Sequence, residues 1–326
     1  MLALAVLCVG ARVAGAVVVR EPNGHVLGVT PHAGVAPAAI PGSVAARHTS
    51  GSVGLVSTGN LAFHRGQVLH SSAPYLIFWD PARTGITSAS RSLFRRYFTD
   101  VAADSGKATN VYAVNRQFTD ATGFADYQQT FSSGQAIPDT QAYPARDTVN
   151  CPDIDPVHYP TCLTDAQLQT EITRLITADG LPQGTGANAP IYFVVTPGTV
   201  NICSDAASCA DNTFCAYHSS YLNGSSTVLY ATIPMFFDGA SAAQNPKACQ
   251  SDHNAVVQEP NGDPADVAIK YLSHEDNETI TDPVNGGGWW DNNSGNEDGD
   301  NCNAFGTLTP TNGTNPNAFL PTLGGS

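Results

Sequence analysis

The 326-residue sequence predicts a single α/β sheet domain over residues 66–306, with a metal-site helix near its end and flexible segments on either side. Three observations predict it. Short apolar runs of strand length alternate with stripes of helical period, which is the pattern of an α/β sheet. Residues 17–65 and 307–326 hold neither period for long and are rich in small and turn-forming residues. The segment from 263 to 281 reads as a helix that places His and Glu side chains on one face.

The elements follow in order. Residues 1–16, MLALAVLCVGARVAGA, form an apolar run ending in Ala14-Gly15-Ala16, the small-residue pattern of a signal-peptidase site, so export is expected although a basic start is missing. Cys8 follows the bulky Leu7 and does not fit a lipobox. YLIFW at 75–79 reads as a buried strand, and Leu93, Phe94, Tyr97, Phe98 and Val101 recur at helical spacing. Residues 110–118 come next, then a loop containing Cys151 and Cys162. A helix opens at Thr164 with Gln167 three residues on, a capping box, and stops at Gly180 with Pro182 beyond. IYFVV at 191–195 and TVLYATI at 227–233 are expected strands. The last long helix is capped by Asp263, takes Pro264 at its first position, where a missing N–H costs nothing, and runs to about Thr281.

Composition limits the function. Fourteen basic against 28 acidic residues give a net charge of -14, which repels a nucleic-acid backbone and an anionic membrane surface. Beyond the leader, no apolar segment approaches the ~20 residues of a membrane span. No Lys or Arg follows Lys270, while Glu275, Asp276, Glu278, Asp282, Asp291, Glu297, Asp298 and Asp300 crowd one stretch that calls for a cation. Cysteines 151, 162, 203, 209, 215, 249 and 302 remain after leader removal; an exported chain oxidises them, so three disulfides and one free thiol are expected, with Cys151–Cys162 the easiest pair. A metal knuckle at 203, 209 and 215 is the alternative, but its spacing does not match zinc ribbons.

Chemistry concentrates in Ser273-His274-Glu275-Asp276-Asn277-Glu278, an HExxE motif. Positions i and i+4 share a helix face, so His274 and Glu278 can hold one metal ion from one side. Glu275 takes the place of the general base of zinc-protease HExxH helices, removing the proton from the attacking water. A carboxylate in place of the second imidazole makes the site more tolerant of hard cations, so zinc is expected and calcium is the alternative. The motif follows several strands, as the active-site helix does in zincin-like domains. Nineteen residues on, Asn296-Glu297-Asp298-Gly299-Asp300 is similar to the glutamate-zincin third-ligand segment. The longer side chain favours Glu297 as third ligand with Asp300 orienting it; Gly295 and Gly299 weaken a helical turn there, and an irregular loop would donate Asp300 directly.

Several islands together resemble the phosphate-induced protein or EXORDIUM-like family of secreted plant proteins and their bacterial relatives. They are GQVLHSSAPYLIFWDP from Gly66, FCAYHSSY from Phe214, PNGD from Pro260, SHEDNETITDP from Ser273, the Trp289-Trp290 pair, and Glu297, Asp300 and Cys302 as ExxDxC. The resemblance implies a secreted protein associated with cell wall and growth, without a settled activity. Asp282 stands where plant members tend to have Asn, and Gly286–Gly288 is an insertion.

His218 is expected to reach the metal cleft as a ligand, as a donor to a developing oxyanion, or as a hydrogen-bonded structural histidine. Trp289 and Trp290 fit either a sugar-stacking platform or a lid over the core. The absence of GxSxG, GxGxxG and Walker patterns disfavours serine-hydrolase and nucleotide chemistry. The leading expectation is a secreted metal-dependent hydrolase, a zinc peptidase acting on a peptide or cell-wall substrate with Glu275 as base. Its rivals are a calcium-binding extracellular protein, using Asp291, Asn293, Glu297, Asp298 and Asp300, and a glycan binder built on the tryptophans.

Overall fold

The structure is a computed structural model that describes residues 17–21, 24–32, 35, 39–44, 61–125, 127–152, 157–235, 249, 261–284 and 286–303. The expected leader at 1–16 and tail at 307–326 lie outside the described residues. Strands are β1 Val17–Arg20, β2 Val26–Pro31, β3 Ala62–Phe63, β4 Ser72–Trp79, β5 Ala136–Asp139, β6 Thr161–Thr164, β7 Ala189–Thr196, β8 Val200–Asp205, β9 Ser208–Cys209, β10 Phe214–Asn223, β11 Ser226–Pro234 and β12 Trp289–Trp290. Helices are α1 Ser88–Ala103, α2 Asp165–Asp179, α3 Ala265–Thr281 and α4 Asp298–Asn303.

A seven-stranded mixed sheet in the order β1-β2-β10-β11-β7-β4-β5 organises the chain. The β1, β2, β10 and β11 side pairs antiparallel, while β11, β7, β4 and β5 run parallel. Every residue of β7 is buried, as expected of a central strand covered on both faces. Side chains alternate between faces along a strand, and β10 uses this: Tyr217 donates to Asp165 of α2 while His218 meets Glu275 of α3. Helices α2 and α3 therefore lie on opposite faces. α1 packs beside α3, tied by Ser90 Oγ donating to Asp263.

The expected α/β class is present, and the predicted strands at 75–79, 191–195 and 227–233 fall within β4, β7 and β11. The capping box of α2 forms, with Thr164 accepting from Gln167 N and Gly180 ending the helix at φ 64°. Asp263 accepts from Ala265 N at the start of α3, which begins one residue later than expected. Residues 111–117 form a 3-10 helix capped by Asn110.

One expectation is corrected. Residues 17–65 are not a wholly flexible lead-in, because β1 and β2 extend the main sheet and Ala62–Phe63 pairs with Trp289–Trp290. VVVR and VLGVTP are too short to show a period, and they join the main sheet only through the pairing of β2 with β10, late in the chain.

Disulfides join Cys151 to Cys162, Cys203 to Cys209 and Cys215 to Cys249. The first is the expected local pair, and the other two consume the thiols of the alternative metal knuckle. Cys8 and the Cys302 side chain lie outside the described residues. No described helix is long and apolar enough to cross a membrane.

Candidate metal centre

Helix α3 forms because its apolar residues, Val267, Ala268, Leu272 and Ile280 among them, bury against the sheet. What sets it apart is that His274, Glu275, Asp276, Glu278, Thr279 and Asp282 are buried as well. Charged groups are buried at such cost that they need partners or ions.

Two clusters meet at Glu278. On one side, His274 Nε2 lies 2.8 Å from Glu278 Oε1 and 3.2 Å from Asp300 Oδ1. On the other, His218 Nδ1 lies 3.0 Å from Glu275 Oε2 and 3.6 Å from Glu278 Oε2, and its Nε2 lies 3.7 Å from Glu297 Oε1. Both sets, His274/Glu278/Asp300 and His218/Glu275/Glu278, place ligand-type atoms within 4.8 Å of one another. Two further groupings, His32/Cys215/Cys249 and Cys151/Cys162/Cys203, consist mainly of sulfurs already joined in disulfides.

The structure thus brings together His218, His274, Glu275, Glu278, Glu297 and Asp300, in an arrangement other than the one expected. Asp300, expected in an orienting role, occupies the third place beside His274 and Glu278; Glu297, expected there, lies beside His218. The cause is local. Asp300 lies on the first turn of α4, where its Oδ2 accepts from Glu297 N at 2.6 Å and its Oδ1 is left facing His274.

The donors fit a divalent cation. Neither oxygen of Glu278 accepts a hydrogen bond among the described residues, and His274 Nε2 lacks one of good geometry. The backbone of α4 is pared back at this point, since a Cβ on Gly299 would stand 2.9 Å from Glu278 Oε1 and 3.1 Å from the His274 ring. Imidazole beside carboxylate suits zinc and its neighbours better than calcium, which takes oxygen ligands.

Electrostatics carry the same message. Burial, then the charges of Asp300, Glu275 and Asp298, push the Glu278 carboxyl well above its usual range. Burial and then Glu278 do the same to Glu297. For His274, burial works downward, but the hydrogen bond and charge of Asp300 outweigh it and raise the imidazole. Burial lifts Asp298 to about 6 against a hydrogen bond from Thr281.

Sequence reasoning missed Gly28 and Thr30, both on β2. Thr30 Oγ1 donates to Glu275 Oε1 at 2.6 Å. A Cβ on Gly28 would stand 2.1 Å from the His218 ring and 2.4 Å from Glu297 Oε2. A glycine inside a strand pattern signals such a close approach and is legible in VLGVT. Asp282 is held by the N–H groups of Gly286, Gly287 and Gly288, which gives the glycine insertion a structural task.

The rival features are occupied otherwise. Asp291 Oδ1 accepts from Asn293 N, Ser294 N and Ser294 Oγ, closing its own turn. Trp290 is buried and stacks on His64, while Trp289 packs on Phe63 and Phe118 and donates to Thr119 O. Trp289 remains half-buried.

Compared with known proteins, the chain matches no family model, no curated protein and no solved structure.

Proposed function

We propose that this chain is an exported metal-dependent hydrolase of zincin-like design, with a peptide bond in an extracellular or cell-wall polymer as its target. The convergence of His274 Nε2, Glu278 Oε1 and Asp300 Oδ1 carries the reading. These three would hold zinc and leave a position open, the arrangement of catalytic zinc sites. Zinc supplies Lewis acidity toward a carbonyl and a water molecule. Glu275 takes the proton of the attacking water. Thr30 and His218 hold its two oxygens in place. The EXORDIUM-like resemblance belongs to the same reading, and the three disulfides support an oxidising destination.

Glu275→Gln is expected to retain metal while peptide hydrolysis falls by roughly 10²- to 10⁴-fold, the usual share of a general base. Metal analysis and a quenched-peptide assay read the two effects separately. An unchanged rate would remove Glu275 from the chemistry, and no cleavage by the parent protein would remove the hydrolase.

A second reading is favoured by enclosure: Glu275, Glu278 and Glu297 are each 0% exposed and His274 only 8%. A cation so enclosed would serve as a structural rivet between α3 and the 297–300 segment. Stoichiometric metal whose removal lowers the melting temperature, with no hydrolysis, would establish this reading instead.

A further inference from the structure

The His274 group uses only one side of Glu278. The other oxygen, Oε2, faces His218, 3.6 Å from Nδ1, and accepts no hydrogen bond among the described residues. Glu297 is 0% exposed, and neither of its oxygens accepts a hydrogen bond there. Its Oε1 lies 3.7 Å from His218 Nε2. That is too long for a hydrogen bond and about the spacing of two ligand atoms each ~2.0–2.2 Å from one ion. On the ring's far side, Nδ1 meets Glu275 Oε2 at 3.0 Å, and Thr30 anchors that carboxylate. A metal-ligating histidine commonly donates its second ring N–H to a carboxylate in this way. Gly28 removes the side chain that would otherwise occupy the space beside His218 and Glu297.

Glu275, Glu278, Glu297 and Asp300 are all buried, with Asp282 and Asp298 close by, and burying carboxylates without compensating cations is costly.

We propose a second divalent-cation site, beside the first, in which His218 Nε2 and Glu297 Oε1 hold the ion. It rests on the reading that His274, Glu278 and Asp300 hold the first ion. Glu275 orients His218 and remains the group that takes the proton, and the second cation adds a positive charge beside the first site, as paired-metal hydrolases use.

The test counts ions. Protein purified without chelator is analysed for metal against protein concentration, and the stripped protein is titrated with Zn²⁺ while native mass spectrometry reads the number bound. Two equivalents are expected in the parent, and one in Glu297→Gln and in His218→Ala. Gly28→Ala is expected to lose the second equivalent through displacement of both side chains. Circular dichroism checks folding, and the near-isosteric Glu297→Gln decides if the other variants fail to fold. A single equivalent in the parent overturns the second site and leaves the first standing. Two equivalents retained in both Glu297→Gln and His218→Ala place the ion elsewhere and overturn the proposal. No bound metal overturns both readings, whereas two equivalents that fall to one in these variants, without peptide cleavage, uphold this site and remove only the hydrolase.

Discussion

Asp300 and Glu297 exchange the places that side-chain length alone suggests, and the exchange is testable one residue at a time. Because Asp300 Oδ1 lies 3.2 Å from His274 Nε2, in one group with Glu278, Asp300→Ala is expected to remove a direct ligand of the proposed first ion. Its zinc affinity there is expected to fall by more than the roughly 10- to 100-fold typical of groups that only orient ligands. Competition titration against a chromogenic chelator measures this, and a loss smaller than tenfold would return Asp300 to an orienting role. His274, Glu275, Glu278, Glu297 and Asp300 were all legible from the sequence as candidates, since His and Glu share a helix face at i,i+4 and two carboxylates follow downstream. Which carboxylate reaches the ion was not, because it depends on how Asp300 caps the backbone at Glu297.

At the scale of elements, β2 and the turn before it connect the site to the opposite face of the sheet. His25, just before β2, lies 3.4 Å from Asp165 of α2 and 3.5 Å from Glu21, and bonds Ser220 O through Nε2. Burial lowers its pKa, but Glu21 and Asp165, helped by Ser220, outweigh this and raise it above 6.5. A histidine whose folded pKa is raised gives stability that is full below its unfolded value and is lost as pH climbs through the folded one. The melting temperature is therefore expected to decline as pH rises from about 6.5, and His25→Gln should flatten that decline. Thermal melts of parent and variant across this window check it, and parallel curves would show that His25 does not couple to folding. The strands β4, β7 and β11 and the capped helix α2 were readable because each carries its own period or cap within a dozen residues. The strands β1 and β2 were not, because the hairpin they form is held in the sheet only by the pairing of β2 with β10, far along the chain.

For the molecule as a whole, the disulfides rank by the loop each closes. Cys215–Cys249 spans 34 residues and Cys203–Cys209 spans 6. Chain entropy predicts a loss of about 4 kcal/mol on replacing the first pair by serine and about 2 kcal/mol for the second. Denaturant unfolding of the two variants measures the difference, and equal losses would mean that strain or residual structure outweighs loop length. By itself the sequence determined the α/β class, the acidic character, the Cys151–Cys162 pair, and the HExxE helix with its downstream carboxylates. These are properties of composition and short-range spacing. Only the tertiary structure decided that His218 joins the cluster across 57 residues and that Thr30 reaches Glu275 across 245. It also decided that two imidazoles stand on either side of one glutamate. The physical reason is that sheet register, not local sequence, brings β2 and β10 under α3 and leaves Gly28 as the gap into which two charged side chains fit.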